Sequence, residues 1–130
     1  MTDRTVYSLL EEAVANYGDK PALYEPVKGR DWRVHSWIDY KRAVEEVAAG
    51  LCELGIQPGD FVALDSETRF EFYIADLAIQ VCGAVAAALY TSYPPADHVK
   101  TLRAFDPRAI FVENPKILAA LKSAAEPPLD

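Results

Sequence analysis

The stretch Gly55-Ile-Gln-Pro-Gly-Asp-Phe-Val-Ala-Leu-Asp65 marks where the pattern of the chain changes. Gly55 stops a helical segment, Pro58-Gly-Asp60 is a turn, and Phe61 to Leu64 are apolar at successive positions. A strand with one wet face alternates apolar and polar residues. A short run that is apolar on both faces suits a strand inside a parallel sheet. Downstream, Phe70, Tyr73, Ile74, Leu77 and Val81 recur at helical spacing. They predict a helix from Ser66–Thr68 to about Cys82, capped by Ser66 and closed by Gly83. Ala84 to Tyr90 predicts a second strand: a glycine stop precedes it and Thr-Ser-Tyr-Pro-Pro ends it. Pro95 to Phe105 predicts a helix with Val99, Leu102 and Phe105 inward, broken at Asp106-Pro107. Ala109 to Val112 is the third strand. Asn114-Pro115 starts a last helix with Ile117, Leu118 and Leu121 inward.

Residues 56–124 therefore read β-α-β-α-β-α. Parallel strands joined through helices imply right-handed crossovers and an open sheet with helices on both faces, an α/β fold. Working outward, residues 5–55 read helix, hairpin, helix. Val6, Leu9, Leu10, Ala13, Val14 and Tyr17 form one apolar stripe, with Thr5 as N-cap and Gly18 as stop. Pro21–Glu25 and Trp32–Ser36 flank a turn at Gly29. Ser36 with Asp39 forms a capping-box-like pair before a helix whose stripe is Val44, Val47, Ala48, Leu51 and Leu54. Residues 125–130 read as a disordered tail. All 130 residues form one segment, and three parallel strands with a lone hairpin make a small sheet whose edge calls for more chain.

Composition narrows the function. Apolar residues at 51% and charged residues at 25% predict a collapsed core. Thirteen basic against twenty acidic side chains give a net charge of −7; such a surface repels nucleic acid and anionic membranes. The longest nearly apolar run, Val81 to Tyr90, is too short to span a bilayer, and Met1 to Thr5 has no apolar signal core, so a cytoplasmic location is expected. Cys52 and Cys82, without metal-ligand spacing, read as buried free thiols in a reducing compartment.

Chemistry-bearing patterns are sparse. Neither form of glycine-rich phosphate loop is present. The turn Asp65-Ser-Glu-Thr-Arg69 carries two carboxylates that repel a pyrophosphate; Ser66 either lines the polar lip of a cleft or caps the following helix. The turn Tyr90-Thr-Ser-Tyr-Pro-Pro95 lies at the carboxyl end of a strand, where ligands bind in open α/β sheets. Tyr90, Thr91 and Ser92 there are candidates to line a cleft, the alternative being a rigid loop packed on a neighbouring domain. His35, in a hairpin strand, and His98, on an outward helical face, read as surface or packing residues. Asp60, Asp65, Glu67, Glu71 and Asp76 lack the one-face spacing of a metal site. Asp76, between Ile74 and Leu77, is expected to be tied by a hydrogen bond. No catalytic, cofactor-binding or metal-binding residue is assigned.

Gly50-Leu-Cys-Glu-Leu-Gly-Ile-Gln-Pro-Gly-Asp-Phe-Val-Ala-Leu64 resembles the opening of acyl-adenylate-forming enzymes. Ser66-Glu-Thr-Arg-Phe-Glu-Phe-Tyr-Ile-Ala-Asp-Leu-Ala78 and Gly83-Ala-Val-Ala-Ala-Ala-Leu-Tyr-Thr-Ser-Tyr-Pro94 are similar to the AMP-forming long-chain acyl-CoA synthetase branch. Ala109-Ile-Phe-Val-Glu-Asn114 matches its third strand, and Thr5-Val-Tyr-Ser-Leu-Leu and Trp32 fit the same opening. The resemblance runs from Thr5 to Leu121 and covers the first part of that family's large N-terminal domain. It implies a parent that joins a fatty acid to coenzyme A through an acyl-adenylate, using ATP and Mg2+. The family's phosphate loop, adenine motif, ribose-binding Asp and late Lys follow this region. The segment is thus expected to bind no cofactor itself, to be inactive alone, to pack against the remainder of the synthetase chain, and to self-associate. The competing expectation is a stand-alone, non-catalytic interaction module that binds a partner through its sheet edge.

Overall fold

The computed structural model describes residues 3–128. Helix α1 (Val6–Tyr17) opens with a capping box: the Thr5 hydroxyl accepts from the Ser8 amide and the Ser8 side chain accepts from the Thr5 amide. Strands β1 (Pro21–Pro26) and β2 (Trp32–Ser36) form an antiparallel hairpin. Ser36 and Asp39 then make the second capping box, at the start of α2 (Trp37–Glu53). These side chains answer amide donors that a first helical turn leaves unpaired, so both starts fall where the sequence predicts.

The parallel sheet comprises β3 (Phe61–Asp65), β4 (Val85–Ala88) and β5 (Ala109–Val112) in the order β4-β3-β5. Helix α3 (Phe70–Val81) links β3 to β4. Helix α4 (Pro95–Phe105) carries the chain back across β3 to β5, and α5 (Pro115–Ala124) follows. The two crossovers run in opposite directions along the sheet, so right-handedness places their helices on opposite faces. The burial bears this out. Val62 and Leu64 pack with α1, α2 and α3, whereas Ala63 packs with Val99 and Leu102 of α4 and Leu121 of α5. Central strand β3 is thus covered on both sides, as its uninterrupted apolar run predicts.

Several expected details are corrected. Strand β4 stops at Ala88 rather than Tyr90, because its ladder with β3 ends at the Leu64–Ala88 pair. Helix α3 begins at Phe70 with Arg69 at its N-cap and no side-chain cap bond. Ser66 does not cap it: the Ser66 hydroxyl and the Glu67 amide both point across to Glu113, which holds residues 66–68 out of the helix. Of the expected α3 stripe, Ile74 is buried and Phe70, Leu77 and Val81 pack against the core, while Tyr73 is exposed; the fully buried side runs through Ile74, Ala75, Ala78 and Ile79. The helix packs against both α2 and the sheet, and its small Ala75 and Ala78 lie in that shared core. On α1 only Leu10 is fully buried, while Val6, Leu9 and Tyr17 are exposed. Leu54, expected to close the α2 stripe, is 80% exposed, and Ile56 takes the buried place beyond the helix end. Leu118 is likewise exposed and Leu121 buried.

Cys82 is buried as expected, but Cys52 is exposed. His98, expected on an outward face, is buried. The expected tail starts inside the fold: Ala125 is buried against the α4–α5 cluster. Residues 126–128 carry no regular secondary structure, and 129–130 lie outside the described residues.

One glycine is dictated by close approach. Gly83 has φ +72°, and a Cβ there would lie 3.1 Å from Pro58 Cβ. Its carbonyl accepts from the Gly59 amide at 2.9 Å, which locks the two turns that lead into β3 and β4.

Candidate functional site

The helix after β3 lies on one face of the sheet and the helix after β5 on the other. The chain therefore leaves the carboxyl ends of these neighbouring strands toward opposite faces, and the crevice outside those ends is the switch point where open α/β sheets hold ligands. A cleft of about 250 Å³ opens there. Leu64, Phe72, Ala75 and Phe111 form its apolar floor, and Ser66, Arg69, Glu71 and Glu113 its polar rim.

The rim residues satisfy one another. Ser66 Oγ donates to Glu113 Oε2 at 2.6 Å, and the Glu67 amide donates to the same oxygen at 3.0 Å. Arg69 Nη1 donates to Glu113 Oε1 at 2.8 Å, while Arg69 Nε and Nη2 reach Glu71 at 2.7 and 3.1 Å. The Ser66 hydroxyl, with Arg69 next in effect, holds the Glu113 carboxyl below the usual glutamate range. Arg69 likewise lowers Glu71. One guanidinium thus faces two carboxylates, and the rim carries a net negative charge. That arrangement ties the α3 approach loop to β5. It does not fit a triphosphate, whose charge needs free cations and amide donors.

A second buried polar group lies on the other face. Asp65, 1% exposed, ends β3, and His98, 5% exposed, sits in the first turns of α4. His98 Nδ1 and Asp65 Oδ2 are 2.9 Å apart, and His98 Nε2 lies 2.8 Å from the Tyr90 carbonyl oxygen. A carbonyl only accepts, so Nε2 carries a proton and donates. The pair fastens the β4–α4 turn to the end of the central strand.

Of the residues singled out from sequence, Ser66 lines the switch-point cleft. Tyr90, Thr91 and Ser92 are exposed and lie outside its lining. Tyr90 instead stacks on Tyr93 with ring centroids 5.5 Å apart. His35 packs: its ring stacks on Phe70 at 3.5 Å, and Nε2 lies 3.1 Å from Glu25. Asp76 accepts a hydrogen bond from Gln80 at 3.2 Å, and partial burial raises its carboxyl above the usual range. Among the described residues no three His, Cys, Asp or Glu side chains converge to hold a metal ion.

No motif that the sequence displays marks Glu113 or the Asp65–His98 pair as a site. A signal for His98 was present, since it stands four and seven residues before the inward Leu102 and Phe105 and so shares their face.

The AMP-binding enzyme family model matches residues 10–129. The chain belongs to the AMP-binding enzyme family. An uncharacterised protein of Mycobacterium tuberculosis is 42% identical over 59 residues, 45% of this chain and 34% of that protein. The 4-coumarate–CoA ligase CCL1 of Humulus lupulus is 30% identical over 95 residues, 73% of this chain and 17% of the ligase. The inhibitor-bound N-terminal domain of FACL13 from Mycobacterium tuberculosis superposes with a TM-score of 0.86 at 20% identity. That match covers 97% of this chain and 31% of that one. The chain therefore spans about a third or less of the length of these relatives. The five helices and three-stranded parallel sheet share their fold with that N-terminal domain.

Within this segment the rim gives a direct test. Glu113→Ala removes the acceptor that holds Ser66 and Glu67, at an expected cost of about 1–2 kcal/mol. The pH dependence follows from the lowered Glu113 carboxyl. A depressed folded value adds stability above the unfolded value, and that stability is lost as pH falls through the folded one. The gap between wild type and Glu113→Ala in urea unfolding should be full at neutral pH and shrink on acidification through and below the ordinary glutamate range. A gap that widened in acid would contradict the assignment.

Proposed function

We propose that this chain is the bracing part of an AMP-forming long-chain acyl-CoA synthetase. In that parent, ATP and a fatty acid give an acyl-adenylate and coenzyme A then takes the acyl group, Mg2+ assisting. The segment supplies a sheet and helices against which the nucleotide-binding remainder of the chain packs. It carries out no adenylation alone. The observation that carries this reading is the switch-point rim, where Glu71 and Glu113 outnumber Arg69. Such a crevice repels the substrate that a catalytic one must hold. Ser66 belongs to the wall of that cleft, and Tyr90, Thr91 and Ser92 belong to a surface turn available to the rest of the chain. A cytoplasmic setting is part of the same proposal; among the described residues no helix is long and apolar enough to cross a membrane.

The long-chain substrate rests on the run from Ser66 to Pro94. A second reading has its own support in the 4-coumarate–CoA ligase match: the parent would then act on an aromatic acid. Two assays separate the possibilities. This chain, given ATP, Mg2+ and either palmitate or 4-coumarate, should catalyse no exchange of labelled pyrophosphate into ATP; measurable exchange overturns the bracing role. An enzyme that contains this segment should show exchange dependent on palmitate. Dependence on 4-coumarate instead moves the proposal to an aryl-acid ligase.

A further inference from the structure

The ends of α2 and α3 bring together the only two cysteines of the sequence. Cys52 lies in the last turn of α2 and Cys82 directly follows α3. Their sulfurs are 3.4 Å apart. A disulfide needs about 2.0 Å, so bond formation asks for a closure of little more than an ångström, within reach of side-chain rotation at an exposed helix end. The two thiols differ in access: Cys52 is exposed, whereas Cys82 is buried and donates to the Ala48 carbonyl at 3.3 Å.

We propose that Cys52 and Cys82 form a reversible dithiol–disulfide site, oxidised by hydrogen peroxide, that staples the end of α2 to the end of α3. The exposed Cys52 thiolate attacks one oxygen of the peroxide. The O–O bond breaks, and Cys52 becomes a sulfenic acid as the other oxygen leaves as hydroxide. The Cys82 sulfur then attacks the Cys52 sulfur, the S–O bond breaks, and the departing hydroxide takes the Cys82 proton to leave as water. Each sulfur gives up one electron in total and the peroxide is reduced to two molecules of water. Burial and the neighbouring Cys52 sulfur push the Cys82 thiol up to about 11. It therefore stays protonated and unreactive toward peroxide until the electrophilic sulfur appears beside it. The ring so closed contains all of β3 and α3, with the Ser66–Arg69 loop between them.

The test treats the purified protein with hydrogen peroxide, quenches, alkylates in denaturant and measures intact mass. In the folded protein both thiols should disappear together, with loss of two hydrogens and recovery by a reductant. The rate should exceed that in denaturant by roughly tenfold or more, because the fold supplies the proximity. In Cys82→Ser, a dimedone-trappable sulfenic acid should accumulate at Cys52, and wild type should show little of it. Three outcomes would overturn the proposal: wild-type Cys52 trapped or over-oxidised while Cys82 still alkylates, pairing between molecules, or equal rates with and without denaturant.

Discussion

Replacing His98 by alanine should lower the free energy of unfolding by about 3–5 kcal/mol, the usual cost of stripping one partner from a buried charge pair. That would be a large share of the stability of a domain this size. The reason lies in the proton inventory. Nε2 must donate to the Tyr90 carbonyl, and one further proton lies between Nδ1 and Asp65 Oδ2. Asp65 is 1% exposed in the intact fold, and without the ring it has no counter-group at that oxygen. A double variant, Asp65→Val with His98→Leu, should recover most of the loss, since apolar side chains of similar size replace such pairs at little cost. Urea unfolding followed by tryptophan fluorescence measures both. Tyr93 offers a local readout: its amide donates to the Tyr90 carbonyl at 2.9 Å, and its exchange should quicken in His98→Ala. A single-variant cost below about 1 kcal/mol, or a double variant worse than the two single ones combined, would refute the pairing as described.

The pair also shows what a sequence withholds. Secondary structure was legible wherever a local rule fixes it. Thr5 with Ser8, Ser36 with Asp39, and Asn114 before Pro115 all cap the helices they precede. Gly18 sits just beyond α1 with positive φ, and Asp106 takes a left-handed cap before Pro107. The apolar run of β3 announced burial on both faces, and the alternation of strands with helices announced the parallel sheet. Each of these signals spans a few residues.

The rim and the buried pair depend on partners far along the chain. Ser66 meets Glu113 across 47 positions and Asp65 meets His98 across 33. Periodicity within one element cannot supply such a match. Ser66 shows how a distant partner overrides a local preference. Its hydroxyl could cap a helix, yet Glu113 claims it, and α3 begins four residues later, at Phe70, with no cap bond from the Arg69 side chain. The two cysteines, each unremarkable in its own helix, meet for the same reason.

The second large effect separates buried leucines from those that only share a stripe. Leu64→Ala should cost about 2–5 kcal/mol, toward the upper end of that range. Leu64 is 1% exposed on the central strand and faces α2 and α3. Ala75 and Ala78 of the same cluster are already small, so the cavity has little means of closing. Leu54→Ala should change stability by no more than about 0.5 kcal/mol, because Leu54 is 80% exposed beyond the end of its helix. Hydropathy ranks the two alike, and the α2 periodicity favours Leu54 as a core residue. The Ile56 amide, bonded to the Leu51 carbonyl at 3.1 Å, turns the chain so that Ile56 fills the place instead. Urea midpoints at an unchanged m-value decide the matter. Equal losses for the two variants would mean that Leu54 is covered in solution, and the packing of α2 against the sheet would have to be redrawn.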